Sequence, residues 1–161
     1  MFHVKHRIAI VASCGCQTLL RATTSDSEAP MPTTVRPFLM FEGKAEEAMN
    51  FYVSQFKDGR VLELKRWGEE NPGPEGKIMT ALFTVGGQTI MCFDSPVQHK
   101  FTFTPAVSLF VQCESEEELR GLAAALGDGG GVLMPLNNYG FSRLFAWVSD
   151  RFGVSWQLNL P

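Results

Sequence analysis

The chain has 161 residues, 45% of them hydrophobic, and a formal charge of −3 at neutral pH. That length supports one domain with a real core, or two half-size modules sharing one. No run of like charges marks a nucleic-acid surface, and no apolar stretch approaches the ~20 residues needed to span a bilayer, so neither nucleic acid nor membrane is expected as a partner.

Residues 1–33 differ in character from the rest. "MFHVKHRIAIVASCGCQTLLRATTSDSEAP" has a basic start, a short apolar run from Ile8 to Ala12, two cysteines and a Ser/Thr-rich stretch. It reads as a disordered tail or as an extension upstream of a start at Met31, which leaves the protein in the cytoplasm. The competing reading is export or lipid anchoring, since Val11-Ala12-Ser13 before Cys14 resembles a lipoprotein cleavage box; the apolar run is short for that role. Cys14 and Cys16, with no nearby partner pair, make at best half a metal site. Cys92 and Cys113 fall inside apolar strand-like runs, where free thiols pack as small hydrophobes.

From Val35 the pattern becomes regular. "VRPFLMF" predicts a strand. "EGKAEEAMNFYVSQF" predicts a helix, with Ala45, Ala48, Met49, Tyr52 and Phe56 on one face of a 3.6-residue period. Glu46 and Glu47 suit its first turn, where the helix dipole favours anions. "GRVLELKRW", "GKIMTALFTVGG" and "QTIMCFDS" follow as strands, with a Pro/Gly-rich loop at 70–76 and a tight turn at Gly86-Gly87. The order then repeats. "AVSLFVQC" is a strand, and "ESEEELRGLAAALGDGGG" is a helix opened by a capping box, Ser115 with Glu118. Leu119, Leu122, Ala123 and Leu126 form its buried stripe, and the glycines from Gly127 stop it. "GVLMPLN", "FSRLFAWVSD" and "VSWQLNL" complete the second unit. The core of the chain, 34–161, is thus an α+β duplication of βαβββ modules, about 35–97 and 104–160, whose two curved sheets are expected to share a cleft.

This duplication, with "MFEGKAEEAMNFY", "FTPAVSLFVQCESEEEL", "VLMPL" and "FAWVSDRFGVSWQLNL", resembles the vicinal oxygen chelate superfamily of glyoxalases, bleomycin-resistance proteins and dioxygenases. Within it the chain is similar to the PhnB-like group, whose domain carries the label 3-demethylubiquinone-9 3-methyltransferase. The resemblance implies a homodimer, and its catalytic members hold a divalent metal through His or Glu on four strands. Those positions correspond here to Pro37, Met91, Ala106 and Gln157, and neighbours such as Phe38, Ile90, Cys92, Val107 and Trp156 supply no hard ligands either. No cofactor is therefore expected, and a divalent metal only if this correspondence is misplaced. Nor do the residues support methyl transfer: the glycine cluster Gly127–Gly131 follows a helix, and the element order is not that of a doubly wound parallel sheet.

Strand alternation then assigns the cleft lining. If Trp156 and Leu158 face the helix, Ser155, Gln157 and Asn159 face the cleft. They are joined by Ala106, Ser108 and Phe110 from the partner strand, by Met91 and Phe93 (with Thr89) from the first module, and by Trp147, with Tyr139 near. Trp147 and Trp156 also read as core. Asp150 and Arg151 are expected to cap the last hairpin, with Gly153 at positive φ. His99, the one histidine of the core, reads as a solvated loop residue, and no Ser-His-acid or Cys-His set is evident. The expectation is a metal-free protein that binds a small, weakly polar organic molecule. The alternatives are an enzyme of the superfamily, metal-dependent or methyl-transferring, and an assembly module whose cleft its own side chains fill.

Overall fold

The computed structural model describes residues 33–161, apart from position 71. The readings placed on residues 1–32, including the export signal, the Cys14–Cys16 pair and the start at Met31, lie outside the described residues. Thr34–Pro161 forms one compact unit.

Its first module runs β1 (Phe38–Phe41), α1 (Ala45–Gln55), β2 (Arg60–Arg66), β3 (Ile78–Val85) and β4 (Gln88–Asp94). The second runs β5 (Leu109–Gln112), α2 (Glu116–Gly127), β6 (Gly131–Asn137), β7 (Leu144–Ser149) and β8 (Ser155–Leu160). Each module makes a four-stranded mixed sheet, ordered β1-β4-β3-β2 (sheet A) and β5-β8-β7-β6 (sheet B).

The duplication reaches the level of single residues. β1 runs parallel to β4 with Phe38 beside Met91, and β5 runs parallel to β8 with Phe110 beside Gln157. Leu82 then pairs with Met91 as Trp147 pairs with Gln157. Even the irregularity recurs: the register of β2 slips between Val61 and Glu63, and that of β6 between Val132 and Met134. One extra residue on the outer strand bends it and increases its twist, so both sheets curl at the same place.

Alternation sorts the strands into an inner and an outer face. Ala81, Phe83, Ile90 and Cys92 of sheet A, and Ala146, Val148, Trp156 and Leu158 of sheet B, join one hydrophobic core with Met49 and Tyr52 of α1 and Leu119 and Leu126 of α2. Both sheets thus put their helix-covered faces into a common interior.

The helices follow the expected stripes. Ala45, Ala48, Met49 and Tyr52 are buried in α1; Phe56 lies one residue past its end, extended and half-buried. Glu46 pairs with Arg66 of β2, Oε2 to Nη1 2.8 Å, and this bond holds its carboxyl below the usual range. In α2 the Ser115 hydroxyl accepts from the Glu118 amide at 3.1 Å. The Glu118 carboxylate turns back to accept from the amide of Glu114 at 2.8 Å, one residue ahead of the cap. Two free amides at the helix start are satisfied this way.

Two strands are shorter than their sequence suggests. β1 begins at Phe38 rather than Val35, because Pro37 has no amide to donate. β5 begins at Leu109, and Ala106 lies in a turn closed by a bond from the Val107 amide to the Thr104 carbonyl, 3.3 Å. Pro105 favours that turn over a ladder.

Candidate functional site

The outer face of sheet B carries a linked set of polar groups. Trp147 Nε1 donates to Ser155 Oγ at 2.8 Å, Ser155 Oγ meets Ser108 Oγ at 2.8 Å, and Gln157 Nε2 reaches Ser108 Oγ at 3.3 Å. One position on, Asn159 Nδ2 donates to Gln112 Oε1 at 3.1 Å. Strand alternation puts these side chains together on the side opposite the core. Ser155 is buried at 2% exposure, and its hydroxyl is used by Ser108 and Trp147, so it supports the face rather than offering a free group. Gln157 is half-buried with its carbonyl oxygen unengaged among the described residues, and Phe110 beside it is 59% exposed. Phe110, Gln157, Trp147 and Met134 form one row across the sheet. Trp147 belongs to this row, while Trp156 lies in the core at 1% exposure.

The matching row on sheet A is Phe38, Met91, Leu82 and Glu63. Phe93 is half-buried on the same face and packs on Phe38 with ring centroids 4.9 Å apart. The sequence-derived set therefore divides. Ser108, Phe110, Trp147, Ser155, Gln157 and Asn159 are neighbours on sheet B; Met91 and Phe93 are neighbours on sheet A; exposed Ala106 sits in the turn before β5. Tyr139 lies beyond the face, its hydroxyl on the Pro135 carbonyl at 2.8 Å and its ring on Phe141 and Phe145.

Two cavities open where the modules meet. One, of about 460 Å³, runs between β1 and the β7–β8 turn, and its walls include Phe38, Glu42, Lys44, His99, Phe101 and Arg151. The other, of about 670 Å³, runs between β5 and the β3–β4 turn, with Phe56, Asp58, Gln88, Phe110, Glu118 and Trp156 among its walls. Neither is lined by Met91, Phe93, Gln157 or Asn159.

Sequence reasoning missed three features. Asp94, fully buried, accepts from the amides of Ala45 (2.9 Å) and Ile78 (3.1 Å), tying the start of α1 to β3. Asp150 caps the last hairpin as expected, accepting from the amides of Phe152 (2.8 Å) and Val154 (3.0 Å), and Gly153 has φ of 90°. It also accepts from Tyr52 Oη at 2.7 Å and Trp156 Nε1 at 2.8 Å. Arg151 does not cap the turn; its guanidinium lies over Phe51, 4.1 Å from the ring centroid. Finally, His99 is not free in solvent: its Nε2 is 2.8 Å from Ser95 Oγ, and its amide donates to Glu42 Oε1 at 2.8 Å. The Ser95 hydroxyl also lies 2.9 Å from the Val97 carbonyl, which makes the contact part of a local turn. Asp94 follows an apolar run and gives no periodic signal, and the Tyr52–Asp150 and Glu42–His99 contacts join groups 98 and 57 residues apart, whose proximity only folding creates.

A family model described as 3-demethylubiquinone-9 3-methyltransferase matches residues 33–159. The chain belongs to this PhnB-like family of the vicinal oxygen chelate superfamily. A putative 3-demethylubiquinone-9 3-methyltransferase, PhnB protein, from Bacillus cereus is 52% identical to this PhnB-like chain, with TM-score 0.77 over 80% of this chain and 100% of the other. Protein PA1353 from Pseudomonas aeruginosa is 30% identical, with TM-score 0.70 over 80% and 98%. A mutant of the fosfomycin resistance protein FosX from Listeria monocytogenes, complexed with Mn(II) and 1S,2S-dihydroxypropylphosphonic acid, shares the fold at 10% identity, with TM-score 0.54 over 82% and 94%. No curated protein matches the chain.

The superfamily's divalent ion can be tested against this donor set. Met91 and Gln157 occupy the central-strand positions, and the register puts Phe38 and Phe110 beside them on the outer strands, in place of Pro37 and Ala106. A thioether, an amide and two phenyl rings do not make the oxygen or imidazole shell such an ion needs. Glu63 adds one carboxylate, at the far end of its row. Among the described residues no group of three or more His, Cys, Asp or Glu side chains converges on a point. The residues do not fit the ion.

Proposed function

We propose that this PhnB-like protein binds a small, weakly polar organic molecule without a metal, on the outer face of sheet B. The carrying observation is the row Phe110–Gln157–Trp147–Met134: apolar surface around one amide whose carbonyl oxygen has no partner among the described residues. An amide that can donate and accept, set among aromatic rings, selects a neutral ligand by shape and one or two hydrogen bonds. Met91 and Phe93 supply a second apolar surface of the same kind on sheet A. Both faces are open, with Phe38 54% and Phe110 59% exposed, and we take a second copy of the chain to cover them as a homodimer. Cytoplasmic placement fits the free thiols of Cys92 and Cys113. No helix among the described residues is long and apolar enough to cross a membrane.

Thermal-shift screening against neutral aromatic compounds tests the reading. A stabilising compound is expected, its effect lost in Gln157→Ala and Phe110→Ala while sedimentation shows a dimer. Absence of stabilisation by every compound class, or stoichiometric divalent metal in untagged protein, overturns it. A second reading, methyl transfer, is favoured by the family description alone. Calorimetry with S-adenosylmethionine decides it, and clear micromolar binding establishes it.

A further inference from the structure

The duplication builds the two junction cavities to one plan. β1 and β5 correspond residue by residue, with Phe38 opposite Phe110 and, counting on, Glu42 opposite Glu114. The β7–β8 turn corresponds to the β3–β4 turn, so each cavity lies between the first strand of one module and the last hairpin of the other. Their charges differ. The cavity at β5 gathers Asp58, Glu114 and Glu118 around Lys57. The amides of Gly87 and Gly86 hold the Asp58 carboxyl low, so it stays anionic. The cavity at β1 holds Lys44, Arg151 and His99 against the single carboxylate of Glu42, which already accepts the His99 amide.

Arg151 is the distinctive group. It lies 4.1 Å from the Phe51 ring centroid and 5.2 Å from that of Phe152. These contacts hold the guanidinium in place without using its five N–H donors. Among the described residues it has no carboxylate within salt-bridge distance and no hydrogen-bond acceptor. Around it the cavity is aromatic: Phe41 packs on Phe103 and Phe152 (5.2 and 6.3 Å), and Phe101 packs on His99 (4.9 Å). Lys44, shared with exposed Glu47 at 3.3 Å, adds a second cation at the rim.

We propose that this cavity is a binding site for a small aromatic carboxylate. The carboxylate is gripped by the Arg151 fork with Lys44 beside it, and the ring lies among Phe38, Phe101 and Phe103. A planar guanidinium with its donors unspent matches a carboxylate in two-point geometry. A volume near 460 Å³ accepts a ligand with one or two rings. The site is built from residues of one chain and does not include Gln157; of its lining, Phe38 is shared with the exposed face taken above to meet a second copy.

Calorimetric titration of the full chain with sodium benzoate, and with benzamide as its uncharged isostere, tests the proposal. Saturable benzoate binding is expected, with benzamide at least about tenfold weaker. Arg151→Ala is expected to lower benzoate affinity by about tenfold or more, Lys44→Ala by less, and Gln157→Ala not at all. Circular dichroism melts establish that each variant folds; should Arg151→Ala not fold, Lys44→Ala and the benzamide comparison carry the decision. No saturation below about 10 mM benzoate, benzamide binding equal to benzoate's and lowered alike by the basic-residue variants, or benzoate binding unmoved by both basic-residue variants overturns the proposal. Benzoate binding abolished by Gln157→Ala alone also overturns it, because the carboxylate would then occupy the sheet B face.

Discussion

Tyr52 on α1 donates its hydroxyl to Asp150 at 2.7 Å across a separation of 98 residues, and both side chains are buried. The same carboxylate takes Trp156 Nε1 and two turn amides, so one side chain closes the last hairpin and joins the modules. A buried charge is tolerated only when its lone pairs are filled, and here four donors fill them. Asp150→Ala strands those donors in the core and is expected to cost about 3 kcal/mol or more. Tyr52→Phe removes one donor and is expected to cost about 1–2 kcal/mol. Urea denaturation of the two variants gives the comparison; equal losses would show that the hydroxyl alone carries the contact.

The pH dependence of stability has a definite sign. Burial, then the charge and hydrogen bond of Asp150, push the Tyr52 phenol far above its ordinary value near 10. Burial pushes the Cys92 thiol up to about 12 and the Cys113 thiol up to about 11. Each group keeps its proton in the folded chain at a pH where the unfolded chain releases it. Their contribution is therefore full below about pH 8.5 and declines above it, by up to about 1.4 kcal/mol per pH unit for each group. Urea midpoints at about pH 7.5, 9 and 10.5 are expected to fall in that order, and Tyr52→Phe to flatten the last interval. A midpoint that rises with pH would contradict the assignment.

The same burial predicts thiol reactivity. Alkylation attacks the thiolate, and both core cysteines are buried with raised values. Iodoacetamide at about pH 8, read by peptide mass mapping, is expected to leave the Cys92 and Cys113 peptides unlabelled until denaturant is added. Labelling of either in the native protein would show local opening of its strand.

Asp94 anchors the first module as Asp150 does the second. Its carboxylate satisfies the Ala45 amide at the start of α1 and the Ile78 amide at the start of β3, and its carbonyl accepts from Trp67 Nε1 at 3.1 Å. Asp94→Ala leaves two buried amides unpaired, at an expected cost of about 2–5 kcal/mol in thermal or urea unfolding.

Adjacent glycines before and at the start of β6 should behave oppositely. A Cβ on Gly130 would stand 2.0 Å from the Ser149 carbonyl oxygen, a backbone atom, whereas one on Gly131 would meet nothing within 4 Å. Gly130→Ala is expected to cost several kcal/mol and Gly131→Ala to stay within about 0.5 kcal/mol. Comparable melting temperatures for the two variants would refute the close approach.

The sequence by itself determined the local elements and their repetition. Helix stripes such as Ala45–Ala48–Met49–Tyr52 and the Ser115 cap are set by spacing within one element, and the alternation of β8 already put Gln157 and Trp156 on opposite faces. The duplicated βαβββ order was legible for the same reason, since each unit repeats a short-range pattern. Tertiary structure alone decided how the sites are assembled. It gave Asp150 its Tyr52 and Trp156 partners, set the His99 amide against Glu42, divided the sequence-derived lining between two sheets, and opened the cavity that joins Arg151 to Lys44. Periodicity records which way a side chain points from its own strand or helix. The group it meets is fixed by how two modules, distant along the chain, pack around a common core.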